Sequence, residues 1–519
     1  MTRLTVRLAL LTAASALIVS LAAYVPMIVS GHITRDSGVF LYTGMAVSRG
    51  GMPYVDSWDH KGPLLAVIET LAWRLGGGIV GAPILEALVL FSGLTVAGLM
   101  WSRWIRAWAP VLVLFVGVTY LGVFEGGNFT ETWLFPFQLV AYSFIADTAL
   151  RSGREAPTRI VVGAGLTIGL AVSVGLFTRM NNVAGLLVLA GICVVFFRRR
   201  LVFSASVVGV IAVVGIALTL WLWTGDALRA AVDQYVRYNL FYSEGTALGE
   251  RVASFAMLAQ LLVAGAIVGV ALVMFSAAFM TRTVATGTWS PAMSVLVVFF
   301  AVGAIDALSQ MASGRPYPHY LVVAVAGFTV AAAAAGAEVQ PAVGEWWRRE
   351  RRARRRTIRV VGIAALAAFV LSSSGATALQ GLRTTLGAGV FIAGSYQAQI
   401  VDRVLAETSP DDRVLVHGAE TWILAASQRL SPTAITYSLP VEQGYGGLPA
   451  QYLADVMAFP PALIVESPLS CGISIACPVE KAYFAGLAPW VVSSYELDGE
   501  AVGFRFWRSL NHTTSRPLG

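Results

Sequence analysis

The stretch His32-Ile33-Thr34-Arg35-Asp36-Ser37-Gly38, continued by Pro53-Tyr54-Val55-Asp56-Ser57-Trp58-Asp59-His60-Lys61-Gly62-Pro63, is a polar segment set behind one apolar run and ahead of many more. Residues 32–63 hold three Asp, two of the five His, two Arg and one of the two Lys of the chain. Ionisable groups at a membrane boundary are costly unless a site uses them. What makes this segment a boundary is its surroundings. Of 519 residues 57% are hydrophobic and only 13% charged, about half the charged fraction of a soluble domain. Apolar runs long enough for a helix to span a bilayer, which takes roughly 20 residues, recur as far as about residue 378.

The pattern predicts a polytopic α-helical membrane protein with about eleven spans. They lie near 8–30, 80–101, 108–124, 133–149, 160–178, 182–197, 202–223, 255–280, 292–311, 319–336 and 358–378. Clustered Arg falls on alternate loops: Arg3 and Arg7, Arg103 and Arg106, Arg151 to Arg159, Arg198 to Arg200, Arg282, and the run Arg348 to Arg359. Those loops are cytoplasmic by the positive-inside rule. The N-terminus is then cytoplasmic, while the Asp36–Lys61 segment and everything after about residue 379 lie outside the cytoplasm. The first apolar run is too long for a signal-peptide core and reads as an anchor. The net charge of +7 comes from short juxtamembrane Arg runs, which argues against nucleic acid as a partner.

From about residue 396 the pattern changes. Val414-Leu415-Val416-His417-Gly418, Ala434-Ile435-Thr436-Tyr437 and Ala462-Leu463-Ile464-Val465-Glu466 are short β-like runs between helical stretches, which predicts a small α/β domain. The expected division is a transmembrane domain over 1–379 and an extracytoplasmic domain over 380–519. Cys471 and Cys477 are expected to form a disulfide in that compartment. No internal repeat is visible, and Ala331–Ala335 reads as small-residue helix packing.

Asp36 precedes a helical run and suits two roles, helix N-cap and general base at the membrane surface. In the Pro53–Pro63 segment Asp56, Asp59, His60 and Lys61 suit phosphate, sugar or metal binding. A compact ammonium fits a phosphate as a point charge, whereas Tyr54 and Trp58 also fit a plain interfacial belt. The metal reading is weak because no carboxylate pair has a recognisable ligand spacing, and no cofactor is expected. After Pro63 an amphipathic helix is expected on the outer leaflet. The next outer loop, Phe124-Glu125-Gly126-Gly127-Asn128-Phe129-Thr130-Glu131, offers Glu125 and Glu131, the latter also as a cap of the following helix. Arg179, and Arg315 with Tyr317 and His319, place cations outside against the charge bias. They fit lipid headgroups or a phosphate clamp, with Asp306 as a counter-ion for Arg315. The aromatic loop from Asp226 to Arg251 fits sugar rings or an interfacial helix.

These motifs resemble the membrane-embedded GT-C glycosyltransferases that use polyprenyl-phosphate sugars, in their protein-mannosyltransferase and aminoarabinose-transferase-like (glycosyltransferase family 39-like) branch. The resemblance rests on Arg35-Asp36-Ser37-Gly38, the Pro53–Pro63 segment and Gly127-Asn128-Phe129-Thr130-Glu131. Arg179-Met180-Asn181 and Gly314-Arg315-Pro316-Tyr317-Pro318-His319-Tyr320 extend it to about residue 340. It implies Asp36 as the catalytic acid of the first outer loop. Protein mannosyltransferases carry an Asp-Glu pair there, whereas this chain has Asp-Ser, so the acceptor stays open.

The expectation is an integral-membrane enzyme that moves a hexose or pentose from a polyprenyl-phosphate donor to a cell-envelope glycan, lipid or protein, with inversion. Asp36 is the expected base, with Glu125 and Glu131 stabilising positive charge. Lys61, His60, Arg179, Arg315 and His319 are expected on the donor phosphate. Asp56, Asp59, Trp58 and Tyr317 are expected around the substrate. The rival reading is a transporter or flippase for a lipid-linked precursor. It would place its charges near the bilayer midplane and in repeated halves, and neither pattern is present in the sequence.

Overall fold

The structure is a computed structural model and describes residues 3–31, 33–244, 248–254, 256, 289–311, 314–315, 317–349, 395–475, 484 and 486–511. The helices are α1 (Arg3–Ser30), α2 (Arg35–Ser48), α3 (Pro63–Gly76), α4 (Gly81–Ile105), α5 (Ala109–Val123), α6 (Thr130–Arg151), α7 (Thr158–Thr178), α8 (Ala184–Phe196) and α9 (Arg200–Thr224). They are followed by α10 (Leu228–Ala231), a π-helical turn over Val232–Arg237, α11 (Tyr238–Glu244), α12 (Pro291–Met311) and α13 (Val322–Arg349). Among the described residues seven helical runs are long and apolar enough to cross a membrane, Gly81–Val123 counting as one, and Met180–Phe196 is a shorter apolar helix. A single 3₁₀ turn at Arg106–Trp108 separates α4 from α5, where Arg103 and Arg106 mark a loop in the sequence. The expected spans at 255–280 and 358–378 lie outside the described residues.

The chain divides into two compact units. The first comprises Met1–Pro26, Leu85–Ala217 and Ser243–Thr385. Its core is helix on helix. Gly303 of α12 and Gly327 of α13 face each other so closely that a Cβ on Gly327 would come within 2.6 Å of the Gly303 Cα. Ala331 to Ala335 are all buried along α13, which is small-residue packing that lets backbones approach.

The second unit comprises Met27–Ile84, Leu218–Tyr242 and Leu386–Gly519. Its C-terminal part is a four-stranded sheet of β1 (Val414–His417), β2 (Leu463–Glu466), β3 (Tyr495–Ala501) and β4 (Phe504–Ser509), in the order β1-β2-β4-β3. β1 and β2 are parallel, and β4 runs antiparallel to β2 and β3. Every residue of β1 and β2 is buried, as expected of continuous apolar runs. Helices Tyr396–Glu407 (α14), Trp422–Ser427 (α15), Leu439–Glu442 (α16), Leu448–Ala458 (α17) and Leu487–Ser494 (α18) complete it. The expected strand at Ala434–Tyr437 is a loop instead. Thr433 Oγ1 accepts from the Ile435 N–H at 3.2 Å, a side-chain turn that competes with a ladder. The Ala434 and Thr436 carbonyls accept from Trp58 N–H and Thr421 Oγ1–H. Cys471 is disulfide-bonded and Cys193 is a buried free thiol; Cys477 lies outside the described residues.

α2 is pinned within this unit by two glycines. A Cβ on Gly38 would lie 2.5 Å from the Trp422 backbone N, and one on Gly44 would lie 2.6 Å from the Glu69 carbonyl oxygen in α3. Both neighbours are backbone, so neither can yield by rotating a side chain. Gly44→Val should therefore destabilise the protein by about 1–3 kcal/mol through overpacking, read as a drop in the thermal midpoint of the full chain. An unchanged midpoint would mean that α2 and α3 can move apart freely.

His417 ends β1 fully buried. Its Nε2 lies 2.7 Å from the Cys471 carbonyl oxygen, and its Nδ1 lies 3.1 Å from the Tyr452 hydroxyl. The carbonyl only accepts, so Nε2 carries the proton and Nδ1 accepts from Tyr452. Burial pushes the imidazole below its ordinary value of 6.5, against the opposing pull of the Cys471 carbonyl and of Glu466 and Glu442. A base depressed in the folded state contributes stability that is present above the unfolded value and lost as pH falls below it. The stability of the full chain should fall between pH 7.5 and pH 5.5, by about 1.4 kcal/mol per pH unit at most from this group, read as a lower thermal midpoint. His417→Gln keeps a donor for the Cys471 carbonyl but cannot take up the proton, so it should flatten that fall.

Candidate functional site

In the second unit the site is built on the loop between α2 and α3. Thr34 caps α2, accepting from the Ser37 N–H at 3.3 Å. Asp36 is thus not the cap: it sits in the first turn with its side chain exposed. Its charge nonetheless raises the titration of both Asp59 and Tyr437, so the three share one electrostatic neighbourhood.

The loop is held rigidly. Tyr54 takes a left-handed φ of 69°, its N–H donating to the Ser57 carbonyl at 2.8 Å and its hydroxyl to the Lys61 carbonyl at 2.7 Å. Gln234, in the π-helical turn, accepts from the Asp59 N–H at 3.1 Å and donates to the Tyr54 carbonyl at 2.7 Å. Asn239 of α11 donates to the His60 carbonyl at 2.7 Å. Trp58 N–H reaches the Ala434 carbonyl at 2.8 Å. Asp56 accepts from the Met52 N–H at 2.7 Å and so shapes the turn. Tyr54 and Trp58 are buried, at 4% and 3% exposure, so they are not interfacial belt residues. Trp58 packs edge-on against Tyr238 and Tyr437, with centroids 4.8 and 5.7 Å away.

This frame brings Asp59, His60 and Lys61 together. Lys61 Nζ lies 2.8 Å from His60 Nε2, and His60 Nδ1 lies 3.1 Å from the Tyr437 hydroxyl. Asp59 accepts from the Lys61 N–H at 3.2 Å. Burial pushes the Asp59 carboxyl up to about 6, opposed by the Lys61 ammonium and the backbone N–H groups of Lys61 and His60, and reinforced by Asp36. Near neutral pH the cluster therefore offers a carboxylate, an ammonium and an exposed second carboxylate within one loop and one helix turn.

The first unit carries its own polar cluster. Glu125, Gly126, Gly127 and Asn128 all have positive φ, between 47° and 94°. Such a run is strained at its non-glycine members and persists only when its surroundings dictate it. Glu86 of α4 dictates it, accepting from the Asn128 N–H at 2.8 Å and from the Thr132 hydroxyl at 2.5 Å. Sequence reading passed over Glu86, although an acid inside an apolar run is itself a signal. Glu125 accepts from the His319 N–H at 3.1 Å and from its Nδ1–H at 2.6 Å. The His319 ring stacks on Phe129 at 3.8 Å and on Tyr317 at 5.6 Å. Glu131 pairs with Arg179 at 2.5 Å, and the guanidinium lies over the Tyr320 ring at 4.1 Å. Glu131 is therefore an ion-pair partner rather than a helix cap; Thr132 closes the first turn of α6 by accepting from the Phe129 N–H at 2.9 Å. Asp306 is engaged away from Arg315: its oxygens accept from Gln138, Tyr142 and the Gly185 N–H at 2.8–2.9 Å. Arg315 is half-buried.

Sequence reading also passed over Gln234, Asn239 and Tyr437. The first two were legible as rare amides on an otherwise aromatic, amphipathic stretch. Tyr437 lies far along the chain in a run that reads as strand, and nothing local marks it.

No family model matches the chain, and no curated protein matches it in sequence. Its structure is similar to the crystal structure of ArnT from Cupriavidus metallidurans bound to undecaprenyl phosphate, with TM-score 0.60 at 12% identity over 96% of this chain and 97% of that one. It is equally similar to ArnT from the same organism in the apo state, with TM-score 0.61 at 14% identity and the same coverage. Over nearly its whole length the chain shares the fold of these two ArnT structures.

Proposed function

We propose that the protein transfers a sugar from a polyprenyl-phosphate donor to a hydroxyl of a cell-envelope glycan, lipid or protein on the extracytoplasmic face. The observation that carries this reading is the gathering of Asp36, Asp59, His60 and Lys61 in one unit of a fold shared with a protein crystallised with undecaprenyl phosphate. In this reading Asp36, exposed and uncommitted to capping, takes the proton of the acceptor hydroxyl as the glycosidic bond forms. Lys61 meets the phosphate, whose negative charge grows as the anomeric carbon–oxygen bond breaks. A single displacement inverts the anomeric configuration. Trp58 and Asp59 shape the wall beside the sugar, and Asp56 holds the turn that presents them. Glu125, Glu131, Arg179, Arg315, His319 and Tyr317 belong to the first unit's cluster. Their assignment to developing charge, phosphate and substrate rests on their chemistry, and charge-removing variants test each separately. The outward placement of the Asp36–Lys61 loop and of the C-terminal domain follows from the Arg distribution.

The purified full chain, supplied with a panel of polyprenyl-phosphate sugars and a cell-envelope extract as source of acceptor hydroxyls, should consume at least one donor, release the polyprenyl phosphate and move its sugar onto the extract. Consumption of none, with intact binding and vectorial movement of a lipid-linked precursor in proteoliposomes, would replace the transferase with a flippase.

A further inference from the structure

Helix α9 carries a bare apolar stripe. Val213, Ile216, Leu220 and Trp223, spaced three and four residues apart, are 51–70% exposed, which on a membrane-spanning helix is a face turned to lipid. The helix runs from Arg200 to Thr224, so Trp223 marks the membrane surface opposite the Arg198–Arg200 run, where an amphipathic indole belongs. The stripe resumes beyond it. Val232, Val236 and Leu240, four residues apart through the π-helical turn and α11, are 39–59% exposed. The buried side of that segment carries Gln234, which holds the Asp59 N–H and the Tyr54 carbonyl. One side of the segment thus frames the site loop, and the other faces outward.

Between the two stripes an open cavity of about 460 Å³ is lined by Trp223, Asp226, Leu228, Arg229, Val232 and Arg237, all within the second unit. Asp226 and Arg229 are exposed. Arg237 Nη1 lies 3.6 Å from Asp233 Oδ1 in a pair 69% and 44% exposed, loose enough for another anion to share the guanidinium. The Arg residues suit a phosphate. Asp226 suits a primary ammonium, which donates hydrogen bonds to a carboxylate. A purely anionic headgroup would set like charge against Asp226, and a choline headgroup has no N–H to offer it.

We propose that this cavity binds the headgroup of a phosphatidylethanolamine from the adjoining leaflet, its phosphate on Arg229 and Arg237, its ammonium on Asp226 and its acyl chains along the α9 stripe. The site is independent of the donor reading above, and no bond is made or broken in it.

The test places a bimane label on Val236→Cys, on the stripe but outside the cavity lining, in the full-length chain. The labelled unsubstituted chain is the blank. The protein is reconstituted in phosphatidylcholine nanodiscs containing a rising fraction of brominated phosphatidylethanolamine, phosphatidylcholine or phosphatidylglycerol. Brominated phosphatidylethanolamine should quench at about fivefold lower mole fraction than brominated phosphatidylcholine, the factor that an exposed charge pair supplies. Asp226→Asn should erase that preference and put phosphatidylglycerol first. Asp226 has a left-handed φ of 54°, which Asn tolerates, so the fold survives the change. Arg229→Gln with Arg237→Gln should bring the three lipids within about twofold of one another. Equal quenching by phosphatidylethanolamine and phosphatidylcholine before substitution overturns the proposal. So does a preference for phosphatidylglycerol, which would make this a plain anionic-lipid patch. Relief of the phosphatidylethanolamine quenching by a few mole per cent of undecaprenyl phosphate would give the cavity to the polyprenyl lipid instead. Quenching by none of the lipids would remove the face from the bilayer altogether.

Discussion

Asp36→Asn should lower sugar transfer by about 10²–10⁴-fold, the range general-base catalysis supplies, while donor affinity and thermal midpoint stay close to wild type. The structure makes this variant unusually clean. Thr34, not Asp36, caps α2, so the amide costs the helix no capping bond. Asp36 is exposed, so no buried partner is stranded. The amide is nearly isosteric and cannot take the acceptor proton. A secondary signature should accompany the loss. The Asp36 charge raises Asp59, which titrates at about 6, so neutralising Asp36 lets Asp59 ionise at lower pH. The acid limb of the residual activity should then shift downward. Near-wild-type turnover would strip Asp36 of the role and direct the search to Asp56, Asp59, Glu125 and Glu131.

Lys61→Ala should weaken donor binding by about tenfold to a hundredfold, since a hydrogen bond to a charged group contributes roughly 1.5–3 kcal/mol. Turnover should fall as well, because the departing phosphate gains negative charge in the transition state. The ammonium also lowers Asp59; without it Asp59 holds its proton to higher pH, and the acid limb should move upward, opposite in sign to the Asp36 variant. Lys61→Arg should restore charge but not full affinity. A planar fork cannot occupy the compact position 2.8 Å from His60 Nε2 in the same way. Single-turnover rates and donor affinity measured together check this. If both stay unchanged in Lys61→Ala, Lys61 leaves the site, and Arg179, Arg315 and His319 remain as the cations to test.

The two variants bear on how far sequence reaches. Composition and the period of the apolar runs determined the class of the molecule, since a bilayer imposes a helix length that needs no tertiary context. The density of charge between the first two expected spans marked the Asp36 and Asp59–Lys61 segment for the same reason: such groups are too costly at a membrane boundary to be incidental. The parallel strands Val414–His417 and Leu463–Glu466 were legible because strands buried on both faces read as unbroken apolar runs. Tertiary structure alone decided the partners. Whether Asp36 capped its own helix depended on a neighbour, Thr34, with the same capacity. Whether Glu131 served as a cap or an ion-pair partner depended on Arg179, 48 residues away. Ala434–Tyr437 carries β-branched composition but has no ladder to join, because its carbonyls are engaged by Trp58 and Thr421. That engagement brings Tyr437 to His60, 377 residues distant in sequence. Periodicity reports what a segment buries, while a hydrogen bond between distant side chains leaves no periodic trace. The helices and the charged loop were therefore written in the chain, and the partners of the site's side chains were set only by folding.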